Sequence, residues 1–253
     1  MTLNEEVKLF WEREPCGTGV HITGELERQG KEWFEQVERN RYEVEPMIHS
    51  VAEFQRHHGK TMLEVGIGAG TDHLQWTRAG LKCYGVDLTD AAIATTSKRL
   101  ALYGFSSELR RIDAEILPFE DSQFDLVYSW GVIHHSEHPD RIVAEILRVL
   151  KPGGRFIGML YAAKSVGVFN VWVKHALLKG RPWLSFDYIN WHYMESIGTK
   201  GYNTKELLRM FAMFSETEVR QWITEHDKHK WPSWVSRFFP DSWGRFISIR
   251  ATK

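Results

Sequence analysis

The sequence predicts an α/β fold, a mostly parallel sheet of seven strands flanked by helices. Three observations carry this expectation. From residue 61 onward, short apolar runs alternate with helical patterns, as βαβ units require. The first run ends in the turn Gly66-Ile67-Gly68-Ala69-Gly70, and glycine is needed where backbone must approach a ligand or adopt positive φ. Two further strand-like stretches near the C-terminus supply the remaining strands.

Taken in order, residues 1–58 read as an N-terminal helical cap or lid. Pro15, Gly17, Thr18 and Gly19 break any helix within the first 26 residues. Over 25–54, Trp33, Phe34, Val37, Tyr42, Val44 and Ile48 recur at helical spacing, with Pro46 kinking or dividing the helix. Residues 59–253 form the main domain. Its expected strands are 61–65, 82–87, 108–112, 124–129 and 155–161, with helices over 72–79, 90–103 and 139–150 and right-handed crossovers. Gly153-Gly154, after Lys151-Pro152, ends the last of these helices. Residues 162–202 break the rhythm and read as an aromatic-rich insertion after the fifth strand. It opens with an apolar helix over 166–178 and continues through Trp183, Phe186, Tyr188, Trp191, His192 and Tyr193. A helix over 204–214, capped by Asn203 or Thr204, precedes strands at 216–223 and 245–251. A His-, Trp- and Pro-rich loop over 226–244 joins them.

Composition narrows the function. A formal net charge of -1 without a basic stripe argues against a nucleic-acid partner, and Arg110-Arg111 and the cluster at 228–230 read as solvated faces. Two cysteines, Cys16 and Cys83, exclude a disulfide framework or a four-thiolate zinc site. The start is polar and acidic, unlike a signal peptide, and no apolar run is long enough to span a membrane. The expectation is a cytoplasmic enzyme with no membrane partner, monomeric or homodimeric.

The glycine turn alone fits several nucleotides. Its spacing differs from Gly-x-Gly-x-x-Gly, because position 71 is Thr, and it has no lysine of the kind that cradles a triphosphate. Asp87, at the tip of the second strand, suits a ribose diol or a helix N-cap. Asp113-Ala114-Glu115, after the third strand, offers an acceptor for an exocyclic amine, or a turn. The fourth strand leads into Trp130 and then His134-His135 at the same sheet edge.

Together, Glu64-x-Gly66-x-Gly68-x-Gly70, Asp87, Asp113-Ala114, Phe124-Asp125-Leu126-Val127 and Lys151-Pro152-Gly153-Gly154 resemble the class I S-adenosylmethionine-dependent methyltransferases, with their Rossmann-like sheet. The resemblance covers about residues 60–161 and is closest to the small-molecule subgroup that includes the ubiquinone/menaquinone enzymes. It implies S-adenosyl-L-methionine as cofactor. Gly66, Gly68 and Gly70 would face its methionine part and Glu64 its ammonium. Asp87 would take the ribose and Leu88 would flank the adenine. Asp113, with Ala114 and Glu115 nearby, would accept from the adenine amine. Ser129, Trp130 and His134 would lie along the cofactor.

Methyl transfer to a hydroxyl or acidic carbon needs a base titrating near neutrality. His134 or His135 is the first choice, with Tyr161 orienting the acceptor and His192 or Glu195 as second choices. Trp183, Tyr188, Trp191, His192 and Tyr193 are candidates for an acceptor pocket. His134, His135 and His138 match no metal-ligand spacing, so no metal is expected. The expected function is methylation of a small organic acceptor, at O or N in preference to C. The alternatives are a non-catalytic S-adenosylmethionine-binding protein and an NAD-dependent oxidoreductase.

Overall fold

The computed structural model describes residues 1–229 and 231–253; Lys230 of the basic cluster at 228–230 lies outside the described residues. The seven strands are β1 (Thr61–Val65), β2 (Lys82–Asp87), β3 (Glu108–Arg111), β4 (Phe124–Trp130), β5 (Leu150–Tyr161), β6 (Glu216–Trp222) and β7 (Phe246–Thr252). They form one sheet in the order β3-β2-β1-β4-β5-β7-β6. The first five run parallel, and β7 pairs antiparallel with both β5 and β6.

The central strands are apolar runs because both faces are buried. Successive side chains point to opposite faces. Thus Met62, Leu126, Tyr128 and Trp130 join one core with Met47, Ile48, Val51 and Trp76. Leu63, Val65 and Val127 join the other with Ile142, Val143, Ile146 and Leu207. Helix Pro139–Val149 begins with proline in its first turn, where no amide donor is missed.

The N-terminal segment departs from the sequence expectation. Leu3–Arg13 is an 11-residue helix, started by a capping box in which the Thr2 side chain accepts from the Glu5 amide and the Glu5 carboxylate accepts from the Thr2 amide. Pro15 and the glycines break the chain only after that helix. Pro46 divides the next region into Lys31–Val44 and Met47–Ala52. Arg99, fully buried, fastens the first of these to the glycine turn: its guanidinium donates to Phe34 O, Glu38, Ala69 O and Thr71.

The insertion forms a small unit of its own. Helices Val166–His175 and Phe186–Tyr193 pack through Val168, Ala176 and Ile189. Among the described residues, no helix is long and apolar enough to cross a membrane.

Candidate active site

The C-terminal ends of β1, β2, β4 and β5 open into a cavity of about 590 Å³, roofed by Asn4, Val7, Trp11 and Cys16 from the N-terminal segment. Ligands of open α/β sheets bind at this edge. Gly66 and Gly68 line its floor with positive φ, 81° and 52°. A Cβ on Gly66 would collide with Val132, whereas one on Gly68 would meet no protein atom, so the backbone there borders open space.

Asp87 lines the cavity at the tip of β2. Its carboxylate already holds the turn in place, accepting from Gly68 N (3.1 Å) and from Thr89 N and Oγ1 (3.0 and 2.8 Å). Burial raises its pKa, opposed by these bonds. Thr89, not Asp87, caps helix Asp90–Leu102. Leu88, Ile112, Asp113 and Ala114 line the same end of the cavity. Asp113 accepts from the Asn4 side chain at 2.8 Å, so the N-terminal helix is clasped directly to this end of the cavity. Glu115 does not face the cavity. It accepts from Asn4, Ser136 Oγ and His138 N, and so fixes the loop after β4. Ser129 is also withdrawn, its hydroxyl donating to Val65 O. Gly70 stands behind the turn, packed on Thr96.

Glu64 lines the cavity from beneath the glycine turn and meets the buried ring of His73, Nδ1 to Oε2 2.9 Å. The Ser107 hydroxyl donates to Cys83 O (2.6 Å) and therefore accepts from His73 Nε2 (2.9 Å). That places the ring proton on Nε2 and turns the Nδ1 lone pair toward Glu64, which then carries the shared proton. Burial drives both groups the same way: Glu64 is raised well above the ordinary carboxyl range, with Asp72 and Asp87 adding to the effect, and His73 falls to about 4.

The cavity lining also holds three buried ion pairs, and of their charged residues the sequence reading singled out only Glu195. Asp72 accepts from Arg41 (2.7 Å), Tyr42 (3.0 Å) and Tyr128 (2.8 Å), and Arg41 also pairs with Glu45 at 3.1 Å. Burial alone would raise Asp72; Arg41 and the three hydrogen bonds hold it below the usual carboxylate range. Glu45 in turn accepts from the indole of Trp130. Glu195 accepts from Arg245 (2.7 Å) and from Tyr161 Oη (3.0 Å). Against the effect of burial, Arg245, His135 and Tyr161 lower Glu195 to about 2.

His135 reaches the cavity wall, with Nε2 3.4 Å from Glu195. The Thr199 hydroxyl donates to Ser196 O (2.7 Å), so toward His135 Nδ1 (3.2 Å) it accepts. Ser196 Oγ meets the same nitrogen at 2.9 Å and can donate to it, so Nδ1 is satisfied in either ring tautomer and Nε2 faces the Glu195 carboxylate.

His134 is where the expectation of a base has to be corrected. It has no exposed surface, does not line the cavity, and packs on the Tyr161 ring with centroids 3.9 Å apart. Among the described residues neither ring nitrogen has a hydrogen-bond partner, and burial, with His135 next, holds its pKa well below the ordinary value.

The proposed aromatic pocket also lies elsewhere. Trp183 is 73% exposed, while Tyr188 stacks on His192 (4.0 Å) and Tyr193 on His175 (4.4 Å); Trp191 carries Lys200 over its ring. None of the five lines the cavity. Trp11, Trp130, Met159, Tyr161 and Phe246 supply its apolar wall instead. Among the described residues, no cluster of three His, Cys, Asp or Glu side chains is placed to hold a metal ion.

Residues 63–158 match the family model described as a methyltransferase domain. The chain carries a methyltransferase domain. S-adenosylmethionine is the cofactor that the sequence resemblance implies for such a domain. The glycine floor, the Asp87 carboxylate and the open space beside Gly68 suit such a group. One relative, phthiotriol/phenolphthiotriol dimycocerosates methyltransferase of Mycobacterium tuberculosis, is 42% identical over 100 residues, 39% of this chain and 36% of that protein. Its counterpart in Mycobacterium leprae is 33% identical over 169 residues, 65% of this chain and 61% of the relative. The chain therefore spans less than two thirds of either relative. Geranyl diphosphate C-methyltransferase of Streptomyces coelicolor shares the fold, with a TM-score of 0.63 at 16% identity over 100% of this chain and 98% of that one.

Proposed function

We propose that the protein transfers the methyl group of S-adenosylmethionine to a small organic acceptor, at oxygen or nitrogen in preference to carbon. The observation that carries this reading is one cavity lined both by the glycine turn with Asp87 and by the group His135, Tyr161, Glu195 and Arg245. Bound there, the cofactor supplies an activated methyl on a positively charged sulfur.

In this reading Asp87 takes the ribose, Asp113 and Ala114 the adenine side, Leu88 the ring face, and Glu64 the ammonium. Gly66 and Gly68 give the close backbone approach, with Gly70, Glu115, Ser129 and Trp130 shaping the surrounding loops. His135 Nε2 removes the acceptor proton, and the resulting imidazolium is held against Glu195. Arg245 and the Tyr161 hydroxyl keep Glu195 ionised and oriented while the apolar wall excludes water. His134 packs beneath this group and moves no proton. Residues 1–58 act as the cap and 162–202 as the acceptor-side insertion, which contributes Glu195 rather than its aromatic cluster.

Calorimetric titration with S-adenosylmethionine and S-adenosylhomocysteine tests the reading. Binding of both is expected, and binding of neither overturns it.

A further inference from the structure

The turn that leads out of helix Val166–His175 presents seven consecutive exposed residues, 177–183. Leu177, Leu178 and Trp183 are 47%, 75% and 73% exposed, and Phe169 on the preceding helix is 42% exposed. The turn is firmly built. The Trp172 indole donates to Leu184 O (2.8 Å), Arg181 N donates to Ala176 O (2.8 Å), and Gly180 supplies the left-handed position at φ 67°. Two leucines and a tryptophan therefore stand on a fixed protrusion, not on a loose tail.

The charges carried by this stretch of chain are mostly positive. Residues 162–186 contain four Lys and Arg and no Asp or Glu. All four cations, Lys164, Lys174, Lys179 and Arg181, are exposed. Isolated apolar residues are ordinary on a surface. Leu and Trp grouped at one turn, with four exposed cations against the one exposed carboxylate of Asp187, are the composition of a segment that enters a lipid headgroup layer.

We propose that this protrusion docks the protein on an anionic lipid surface, with Leu177, Leu178 and Trp183 entering the headgroup layer and Lys174, Lys179 and Arg181 meeting lipid phosphates. Charge selects this occupant over a second copy of the chain. A two-fold contact through the same patch would set its cations against their own symmetry mates, whereas an anionic bilayer attracts juxtaposed Lys and Arg. The same segment continues through helix Phe186–Tyr193 to Glu195 in the cavity wall, so the chain links the docked surface to the acceptor end of the site. The inference stands independently of the methyl-transfer reading.

Co-sedimentation of the full chain with vesicles tests it. Phosphatidylcholine vesicles containing about 30% phosphatidylglycerol should retain the protein roughly tenfold better than phosphatidylcholine alone, and raised salt should reduce that retention. Leu178→Glu with Trp183→Ala, and separately Lys179→Gln with Arg181→Gln, should each lower retention about tenfold while leaving affinity for S-adenosylhomocysteine unchanged. All four positions are exposed, so the fold does not depend on them. Equal retention on neutral and anionic vesicles, or full retention by both variants, overturns the proposal. So does a dimer, measured by light scattering after size exclusion, that the same substitutions dissociate.

Discussion

His73 Nδ1 lies 2.9 Å from Glu64 Oε2, and one proton serves both groups. The Ser107 hydroxyl, committed to Cys83 O, leaves His73 only the role of donor at Nε2. Glu64 therefore faces the cavity as a neutral carboxyl, although its proposed task is to hold an ammonium.

Glu64→Gln should then fold about as stably as the wild type, because it replaces one neutral group with another. Its affinity for S-adenosylhomocysteine should fall roughly tenfold to a hundredfold, about 1.4–3 kcal/mol, the worth of a charge-assisted hydrogen bond. Binding of a cation favours ionised Glu64. Wild-type affinity should therefore rise with pH while the empty protein keeps Glu64 protonated, and the variant should lack that slope. Calorimetry at several pH values below 7 measures both effects; a slope retained by the variant would remove Glu64 from the ammonium site.

The two histidines after β4 should behave oppositely. His135→Ala and Glu195→Gln should lower turnover by about 10²–10⁴, the usual range for a lost general base or its support. Cofactor affinity should stay within about twofold, because neither residue lines the nucleotide end. Single-turnover rates on an identified acceptor, set beside calorimetric affinities, separate the two effects.

His134→Phe should keep turnover and resist acid better. The folded pKa of His134 lies well below its unfolded value, so the wild type has its full His134-linked stability above about pH 6.5 and loses it as pH falls toward the folded pKa. Phenylalanine has no such dependence. The melting-temperature difference, variant minus wild type, should grow as pH falls below 6.5. A constant difference would mean that His134 is not buried as a neutral ring.

Asn4→Ala tests the clasp at the adenine end. Asn4 donates to Asp113 and Glu115, both at 2.8 Å, and accepts from Glu137 N at 2.7 Å. These bonds are largely exposed, so the cost in stability should stay near 1 kcal/mol. Release of S-adenosylhomocysteine, followed by stopped-flow fluorescence, should accelerate several-fold because the roof over the cavity is loosened. An unchanged release rate would show that helix Leu3–Arg13 does not gate the site.

Local chemistry made the glycine-turn side of the cavity legible. The glycine turn, Asp87 and Asp113 each sit at a strand end, and alternating strands and helices place strand ends along one edge. The acceptor end depends on meetings between distant segments. Arg245 reaches Glu195 across 50 positions and Trp130 reaches Glu45 across 85, separations that carry no periodic signal. The aromatic residues 183–193 looked like a pocket because composition cannot tell an inward face from an outward one. The helix Leu3–Arg13 was readable in principle from Thr2 and Glu5, but the nearby proline and glycines pointed the other way.

The strand order has a consequence for how the protein is made. Strand β6 emerges before β7, yet β7 is its hydrogen-bonded neighbour in the sheet. Until β7 arrives, β6 is an unpaired edge and β5 lacks its antiparallel partner. Nascent or prematurely terminated chains that stop inside 223–245 thus expose sticky strand edges of the kind that recruit other chains. Translation pauses in that stretch should raise the load on chaperones more than pauses elsewhere in the domain.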